Sequence, residues 1–567
     1  MRALAAGHGP FDIVRGGIAA LRVLGPAGLL HRAAAAVIQR DEDARYQAFR
    51  ADHAGASRGD DTAPTSGPLI SIVTPVFNTP ASLLEQCIDA VVAQTYASWE
   101  WILADDGSTD AATVAILARA LDPRITVVRA ARNLGIVGAT NLAIAQARGE
   151  FLAFLDHDDA LAPDALAEIA RQLRAAPATD VVYTDEDKID GAGVHCQPHF
   201  KPDWSPELLD SCMYVSHLTA IRRTLVEAAG RLRDGYDGSQ DYDLLLRVAE
   251  RTSAIAHVRR VLYGWRMAPG SAASSQLAKP WAVAAGARAL EDAVRRRGTP
   301  ARIVTAGAAG HFRVQYEIAG DPVVSVLLVG GDAQARASAA ARLVRTVAGR
   351  RFEIVEHEAS APGSSLATQL NALAARATGA HLLVLDAGVE PVHRGWLDAL
   401  LEFSQHAAIG AVGPFLLRAD GTVDDAGLVV GVGSGVEPAL HGAPGWTRGH
   451  LSNALDVRNC TAVSAACLLT RRDAFDAAGG FDAGAGDGVF AVDYGLRLRA
   501  AGLRLVVTPH ARMRRRDAGG GGGITVLERD WLQARWGDAA GDDPYYNPAF
   551  DRRAATWRLP PPDSLIE

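Results

Sequence analysis

Three acidic clusters stand out by residue type and spacing. The densest is Asp156-His157-Asp158-Asp159, which follows the apolar run Phe151-Leu-Ala-Phe-Leu155. Carboxylates this close repel one another unless a cation neutralises them, and hard oxygen ligands suit Mg²⁺ or Mn²⁺ shared with a substrate diphosphate. The other reading is an Asp-rich surface turn that caps the following helix. Asp105-Asp106-Gly-Ser-Thr-Asp110 also ends an apolar run. Its carboxylates could accept hydrogen bonds from a nucleobase N–H or ribose hydroxyls, or the segment is a turn followed by an N-cap. Gly238-Ser-Gln-Asp241-Tyr-Asp243 opens an amphipathic stretch, where Asp241 could take the proton of an attacking hydroxyl or cap a helix. Tyr183-Thr-Asp185-Glu186-Asp187-Lys188 and Phe200-Lys-Pro-Asp-Trp204-Ser-Pro206 lie between these clusters. An acceptor could bind there; equally, both could be solvated loops, with Trp204 packing.

The elements that must position these residues begin at Leu69. Strand-like runs at 69–74, 99–104, 125–128 and 151–155 alternate with helical ones at 81–94, after Asp110 and at 137–148. That alternation predicts an α/β fold with a mostly parallel, Rossmann-like sheet covered by helices. Ligands of such sheets lie beyond the carboxyl ends of the strands, where both acidic turns fall. A second copy is expected from Val323. Ser71-Ile-Val-Thr-Pro75 has a counterpart in Ser325-Val-Leu-Leu-Val329, 254 residues on, and Asp241-Tyr-Asp243 has one in Asp493-Tyr-Gly495, 252 residues on. Phe151–Asp156 pairs with His381–Asp386 at 230, and repetition at nearly one offset signals a duplicated domain.

At 567 residues with 49% apolar and 22% charged side chains, the chain is long enough for several cores. The expected division is a helical segment and linker over 1–66, a catalytic domain over 67–305, a linker over 306–321, a second domain over 322–535 and a tail over 536–567. A net charge of −8, without long single-sign blocks, offers no footprint for nucleic acid. Five cysteines without a Cys-x-x-Cys pair argue for a reducing compartment. No apolar stretch reaches a membrane-spanning length. The Arg-rich first forty residues could lie on an anionic membrane surface or pack on the next domain. The expected location is cytoplasmic, with peripheral contact at the inner face of the membrane.

The ordered series Thr74-Pro-Val-Phe-Asn78, Asp105-Asp-Gly-Ser-Thr109, Asn133-Leu-Gly-Ile136, Leu155-Asp-His-Asp-Asp159, Tyr183–Lys188, Phe200–Pro206, Gln240-Asp-Tyr-Asp-Leu244 and Val261-Leu-Tyr-Gly-Trp-Arg266 resembles the inverting family 2 glycosyltransferases of GT-A fold, particularly those of bacterial O-antigen and surface-polysaccharide assembly. The resemblance implies two tandem GT-A domains, with Pro75 and Phe77 bordering a nucleobase and Asp105, Asp106 and Asn133 near it. It further implies Asp156 at the ribose or metal, Asp158 on a divalent cation (Mn²⁺ or Mg²⁺), and Asp241 as the base. A nucleoside-diphosphate sugar would be the donor and a glycan or lipid-linked oligosaccharide the acceptor, with Asp185, Glu186, Trp204, Trp265 and Arg266 as acceptor candidates. Relatives commonly carry His where Gly264 stands, which leaves that place to His257 or water. In the second copy the acidic pair is reduced to Asp386-Ala387-Gly388 and the turn Val355–Ala359 lacks the Asp-Gly-Ser pattern, so that copy is expected to be degenerate. Rival expectations are a second transferase using Asp493, a glycan-binding scaffold without chemistry, and a nucleotidyltransferase. The last lacks a Gly-rich loop bearing Lys or Arg near the N-terminal strand.

Overall fold

The computed structural model describes residues 41–53, 66–119, 122–267, 280–347, 349–356, 363–516 and 523–562. The basic N-terminus up to residue 40, most of the linker at 55–67, most of the Gly519–Gly523 run and the end of the 355–359 turn lie outside the described residues. Among the described residues no helix is long and apolar enough to cross a membrane.

Strands β1 (Ile70–Val76), β2 (Trp99–Asp105), β3 (Ile125–Arg129) and β4 (Phe151–Phe154) lie parallel in the order β3-β2-β1-β4. Helices Ala81–Val92, Ala111–Leu117 and Gly135–Gln146 provide the crossovers. β1 and β2 are buried along almost their whole length, which is why they read as continuous apolar runs rather than alternating ones. The sheet continues through β5 (Ala160–Leu161), β6 (Val181–Ile189), β7 (His195–His199), β8 (Thr219–Arg222) and β9 (Ile255–Arg266), in the order β8-β6-β9-β5 with β7 against β6. β8 is antiparallel to both β4 and β6. The sheet is therefore mixed, its parallel run confined mainly to the first four strands. The chain leaves β6 through a hairpin and reaches β8 without a long helical crossover, so β8 enters reversed.

A hairpin of β10 (Ala301–Thr305) and β11 (Phe312–Tyr316) follows, so the segment expected as a linker at 306–321 carries a strand. The second sheet contains β12 (Val324–Val329), β13 (Phe352–Val355), β14 (His381–Asp386), β15 (Val389–Pro391), β16 (Ile409–Leu417) and β17 (Val423–Asp425). After the small hairpin of β18 (Leu428–Val430) and β19 (Val436–Pro438) it adds β20 (Arg458–Cys460), β21 (Cys467–Arg471) and β22 (Arg504–Arg515). Its order, β13-β12-β14-β21-β16-β22-β15, repeats β2-β1-β4-β8-β6-β9-β5 strand for strand. Among the described residues, β3 has no counterpart on that path.

Both copies carry one polar latch at the head of the sheet. Ser71 Oγ donates to Glu100 (2.7 Å) and accepts from the Gly149 amide (2.8 Å), while Arg223 Nε reaches the Gly149 carbonyl (2.8 Å). Ser325, Glu353, Gly379 and Arg472 make the same bonds at 2.5, 2.8 and 2.9 Å. A polar group buried this deeply is tolerated because the hydroxyl both donates and accepts a hydrogen bond. The two units are joined by Ser205 Oγ to Asn459 Oδ1 (2.7 Å), Asn459 Nδ2 to Glu207 (2.6 Å) and a forked Arg504–Glu207 pair (2.7 Å). The helical residues 41–53 and the segment after 536 cover the junction. Tyr46, Phe200, Phe550 and Trp557 share one buried cluster there, and Tyr46 donates to Asp187 (2.5 Å).

The latch leaves no room for a Cβ: one added at Gly149 would lie 2.5 Å from Ser71 Oγ and 2.7 Å from the Leu69 carbonyl oxygen. Gly149→Ala should destabilise the protein by about 1–3 kcal/mol, whereas at Gly191, with nothing within 4 Å, the same change should be close to neutral. Denaturant melts of the two variants would check this.

Candidate active site

The loops after β1 and β2 are clasped together. Asn78, at φ 47°, accepts the amides of Thr109 (2.8 Å) and Asp110 (2.9 Å) through Oδ1 and donates its own amide to Ser108 Oγ. Asp105 accepts the Ser108 amide (2.8 Å) and pairs with Arg129 (2.9 Å). Asp106 accepts the amides of Leu134 (2.6 Å) and Gly135 (2.9 Å), at the start of the helix Gly135–Gln146, a placement that also suits the helix dipole. Both carboxylates thus shape the walls of the candidate nucleotide loop. Phe77 is 45% exposed and Asn133 is exposed beside them, while Pro75 reaches the central cavity.

The acidic turn after β4 divides its carboxylates by environment. Asp159 is buried, accepting the Tyr263 hydroxyl and the Arg266 amide (2.8 Å). Burial, then the neighbouring charges of Asp156 and Asp158, hold its carboxyl well above the usual range. Asp156 has a side chain 44% exposed, and Asp158 is partly exposed beside His157 (3.7 Å). These two, unlike Asp159, keep part of their carboxylates exposed.

Sequence reasoning passed over His217. Its Nε2 lies 3.9 Å from Asp156 and its Nδ1 3.3 Å from Glu186. Its ring stacks on Tyr263 with centroids 4.7 Å apart and tilts against Trp265 at 5.5 Å. Burial disfavours the imidazolium, yet the bond to Glu186 and the charges of Glu186, Asp156 and Asp159 outweigh it and push the pKa up to about 9. Behind it the fully buried Lys201 lies 3.5 Å from Glu186 and donates to the carbonyls of Val215 (2.6 Å) and His217. The available signal was indirect: His217 precedes β8, the strand paired with β4, so it arrives next to the Asp156 turn.

Asp241 opens the helix Gln240–Ala249 and accepts its neighbour's amide, Tyr242 N (2.8 Å). It faces solvent from the wall of a cavity of about 920 Å³ that Asp156, His217 and Trp265 also line. The surrounding protein raises its carboxyl above the ordinary 3.8, and the nearby His217 charge opposes that rise.

The acceptor candidates separate. Glu186 and Trp265 line the cavity. Asp185 does not: it is 1% exposed and accepts from the Lys201 amide (2.8 Å) and Asn547 Nδ2 (2.9 Å), so it ties down the C-terminal segment. Trp204 packs on Tyr214 at 6.5 Å, and Arg266 serves Asp159 through its amide. His257 is no substitute ligand, because it is enclosed between Asp185 (3.0 Å) and Asp203 (3.1 Å) and stacked on Tyr183. A Cβ at Gly264 would meet Ile189 Cδ1 at 2.6 Å and His195 at 3.5 Å. By strand alternation that is the face opposite Tyr263 and Trp265, so a side chain there would not face the acidic turn.

The second copy corrects the expected pairing of Asp493 with Asp241. Arg497 binds Asp493 four residues back (2.8 Å) and the carbonyls of Ala478 and Gly480. Arg247 does the same with Asp243 (2.7 Å) and the carbonyls of Ala229 and Arg231. Asn371 embraces Phe481 as Asn141 embraces Leu232. The helices therefore superpose at an offset of 250, which pairs Asp493 with Asp243 and puts Ala491 where Asp241 stands. The second copy keeps the framework carboxylate and lacks the one that faces the cleft.

A strand-end acidic turn and a cleft-facing carboxylate stand on this α/β sheet, and residues 71–227 match the family model described as Glycosyl transferase family 2. The first unit belongs to that family. Over 526 residues the chain is 37% identical to uncharacterized protein y4gI of Sinorhizobium fredii, covering 85% of this chain and 58% of that protein. Over 523 residues it is 36% identical to O-antigen biosynthesis protein RfbC of Myxococcus xanthus, covering 85% and 40%. Both matches are longer than either unit, so the two units recur together, and the chain spans about half the length of these curated relatives. The S. aureus TarS 1–349 structure with UDP-GlcNAc overlaps 40% of this chain and 72% of that one at a TM-score of 0.31 and 18% identity.

If Asp106 organises the loop, Asp106→Ala should accelerate hydrogen exchange at the Leu134 and Gly135 amides by at least about tenfold, the loss of one charge-assisted bond. The Ser108 amide, held by Asp105, should keep its protection. Residue-resolved exchange would check this.

Proposed function

We propose that the first unit transfers a sugar from a nucleoside-diphosphate donor to a hydroxyl of a glycan, with inversion, in surface-polysaccharide assembly. The observation that carries the reading is the shared cavity: Asp156 of the acidic turn and Asp241 of the helix open on one space. Asp241 takes the hydroxyl proton as that oxygen bonds to the anomeric carbon. The bond from this carbon to the diphosphate oxygen breaks in line, and its electron pair leaves with the nucleoside diphosphate. A single displacement inverts the centre. The raised pKa of Asp241 makes it a better proton acceptor than an ordinary carboxylate.

Asp156 and Asp158 suit a hard divalent cation, Mn²⁺ or Mg²⁺, because they carry adjacent charge on side chains more exposed than that of Asp159. When bound, such an ion would neutralise charge on the departing diphosphate. His217, charged at neutral pH, stands beside Asp156 and tempers the repulsion within the turn. Pro75, Phe77, Asn133 and the loop held by Asp105 and Asp106 would border the nucleobase. Glu186 and Trp265 would meet the acceptor. The match to the O-antigen biosynthesis protein supports the surface-polysaccharide role; the acceptor would be a glycan or lipid-linked oligosaccharide, met at the cytoplasmic face of the membrane. The second unit, with Ala491 in place of a base and Asp386-Ala387-Gly388 in place of the acidic turn, would carry no transfer of its own.

Asp241→Asn should lower kcat by about 10²–10⁴ while nucleotide affinity stays near wild type. Asp158→Ala should lose Mn²⁺-dependent binding of UDP, GDP or dTDP, whichever the wild type prefers, in calorimetric titration. Full turnover in Asp241→Asn would refute the base assignment. Glycan binding without any nucleotide binding by the folded wild type would instead identify a scaffold. Since the ionised form of Asp241 is the active one and its carboxyl is raised, kcat should fall on acidification with a midpoint above 3.8. The kcat–pH profile checks that direction.

A further inference from the structure

A second cluster of ligand-type side chains lies away from the acidic turn, where three chain segments meet. Cys212 follows the short helix Pro206–Leu209, His311 sits at the turn between β10 and β11, and Asp456 precedes β20 of the second unit. Cys212 and His311 are joined by an antiparallel bridge. His311 Nδ1 stands 2.8 and 3.0 Å from the two oxygens of Asp456, and Cys212 Sγ lies 3.7 Å from Asp456 Oδ2. One donor atom from each residue falls within 4.8 Å of the others. His311 is 7% and Asp456 3% exposed, and all three line the large cavity.

The carboxylate is the unusual member. A buried Asp has four acceptor positions, and Asp456 is met by one imidazole N–H and a weak thiol donor. Burial accordingly raises its carboxyl, with only partial relief from His311. We propose that Cys212, His311 and Asp456 form a zinc site that staples the two units, with a cavity water as fourth ligand. Thiolate and imidazole favour a borderline-soft ion over Mg²⁺ or Mn²⁺. Charge closes: Zn²⁺ is balanced by the Asp456 carboxylate and the Cys212 thiolate, whose proton is released on binding, while His311 coordinates as neutral imidazole. Tetrahedral bonds of about 2.0–2.3 Å separate ligand atoms by roughly 3.3–3.7 Å. The Cys212–Asp456 spacing meets that, and His311 and Asp456 need part by less than about 1 Å.

The full chain, stripped with a chelator, should take up one Zn²⁺ in competition titration, and Asp158→Ala should leave that uptake intact. Cys212→Ser should weaken it at least about tenfold. Co²⁺ should give a thiolate charge-transfer band in the wild type that Cys212→Ser abolishes. Unchanged zinc affinity in Cys212→Ser would overturn the site. So would the absence of a cobalt band in the wild type, a readout that stands even if the variant fails to fold.

Discussion

Negative charge massed at the carboxyl end of β4 is the constraint around which the first unit is built. Asp156, Asp158 and Asp159 fall within four residues, and Asp241 lines the same cavity as Asp156. Mutual repulsion at this spacing would scatter the turn. The fold answers it with a buried column, Lys201 to Glu186 to His217, whose last member approaches Asp156, and with Tyr263, which takes Asp159 out of the charged set. The mixed half of the sheet exists in part for this. β8 follows His217, β6 supplies Glu186, and β9 supplies Tyr263 and Trp265.

The two copies share their framework and differ at their strand ends. Latches such as Ser71–Glu100–Gly149 and Ser325–Glu353–Gly379 serve strand pairing, and any sheet of this order needs them. The turns at the carboxyl ends open on the cavity side of the sheet, and there the second copy has Ala387, Gly388 and Ala491. Among the described residues it also has no equivalent of β3, the strand packed beside the candidate nucleotide loop. Asp493 belongs with the framework: it is buried and bound by Arg497 and the Trp536 indole (3.0 Å), a role Asp243 fills in the first copy.

How much of this was legible follows from range. The strands β1 to β4 and their helices are local patterns, so apolar runs and turn residues marked them within a few positions. The acidic turns were legible for the same reason. The 252-residue offset misled because Asp-Tyr recurs by chance two residues out of register, and only the carbonyls bound by Arg247 and Arg497 separate the two pairings. His217, Lys201 and Asp185 were opaque or misread because their roles depend on strand order, which brings β8 between β4 and β6. Hydrophobic periodicity carries no information about that neighbour relation.

The cavity gives the copy that carries Ala491 a structural place beside the first. Its far wall includes Arg448, His450, Asp456 and Asn459 of the second unit, held against the first by Glu207–Arg504 and Ser205–Asn459. His450 is not adaptable surface: it accepts the Phe200 amide (3.2 Å) and packs on Phe550, and burial lowers its pKa to about 3, so it stays neutral. A transferase discriminates acceptors by what stands opposite its base. If Asp241 is that base, the groups facing it come partly from a copy relieved of chemistry and therefore free to vary there. The polar welds at the junction would then keep that wall in register with the donor turn.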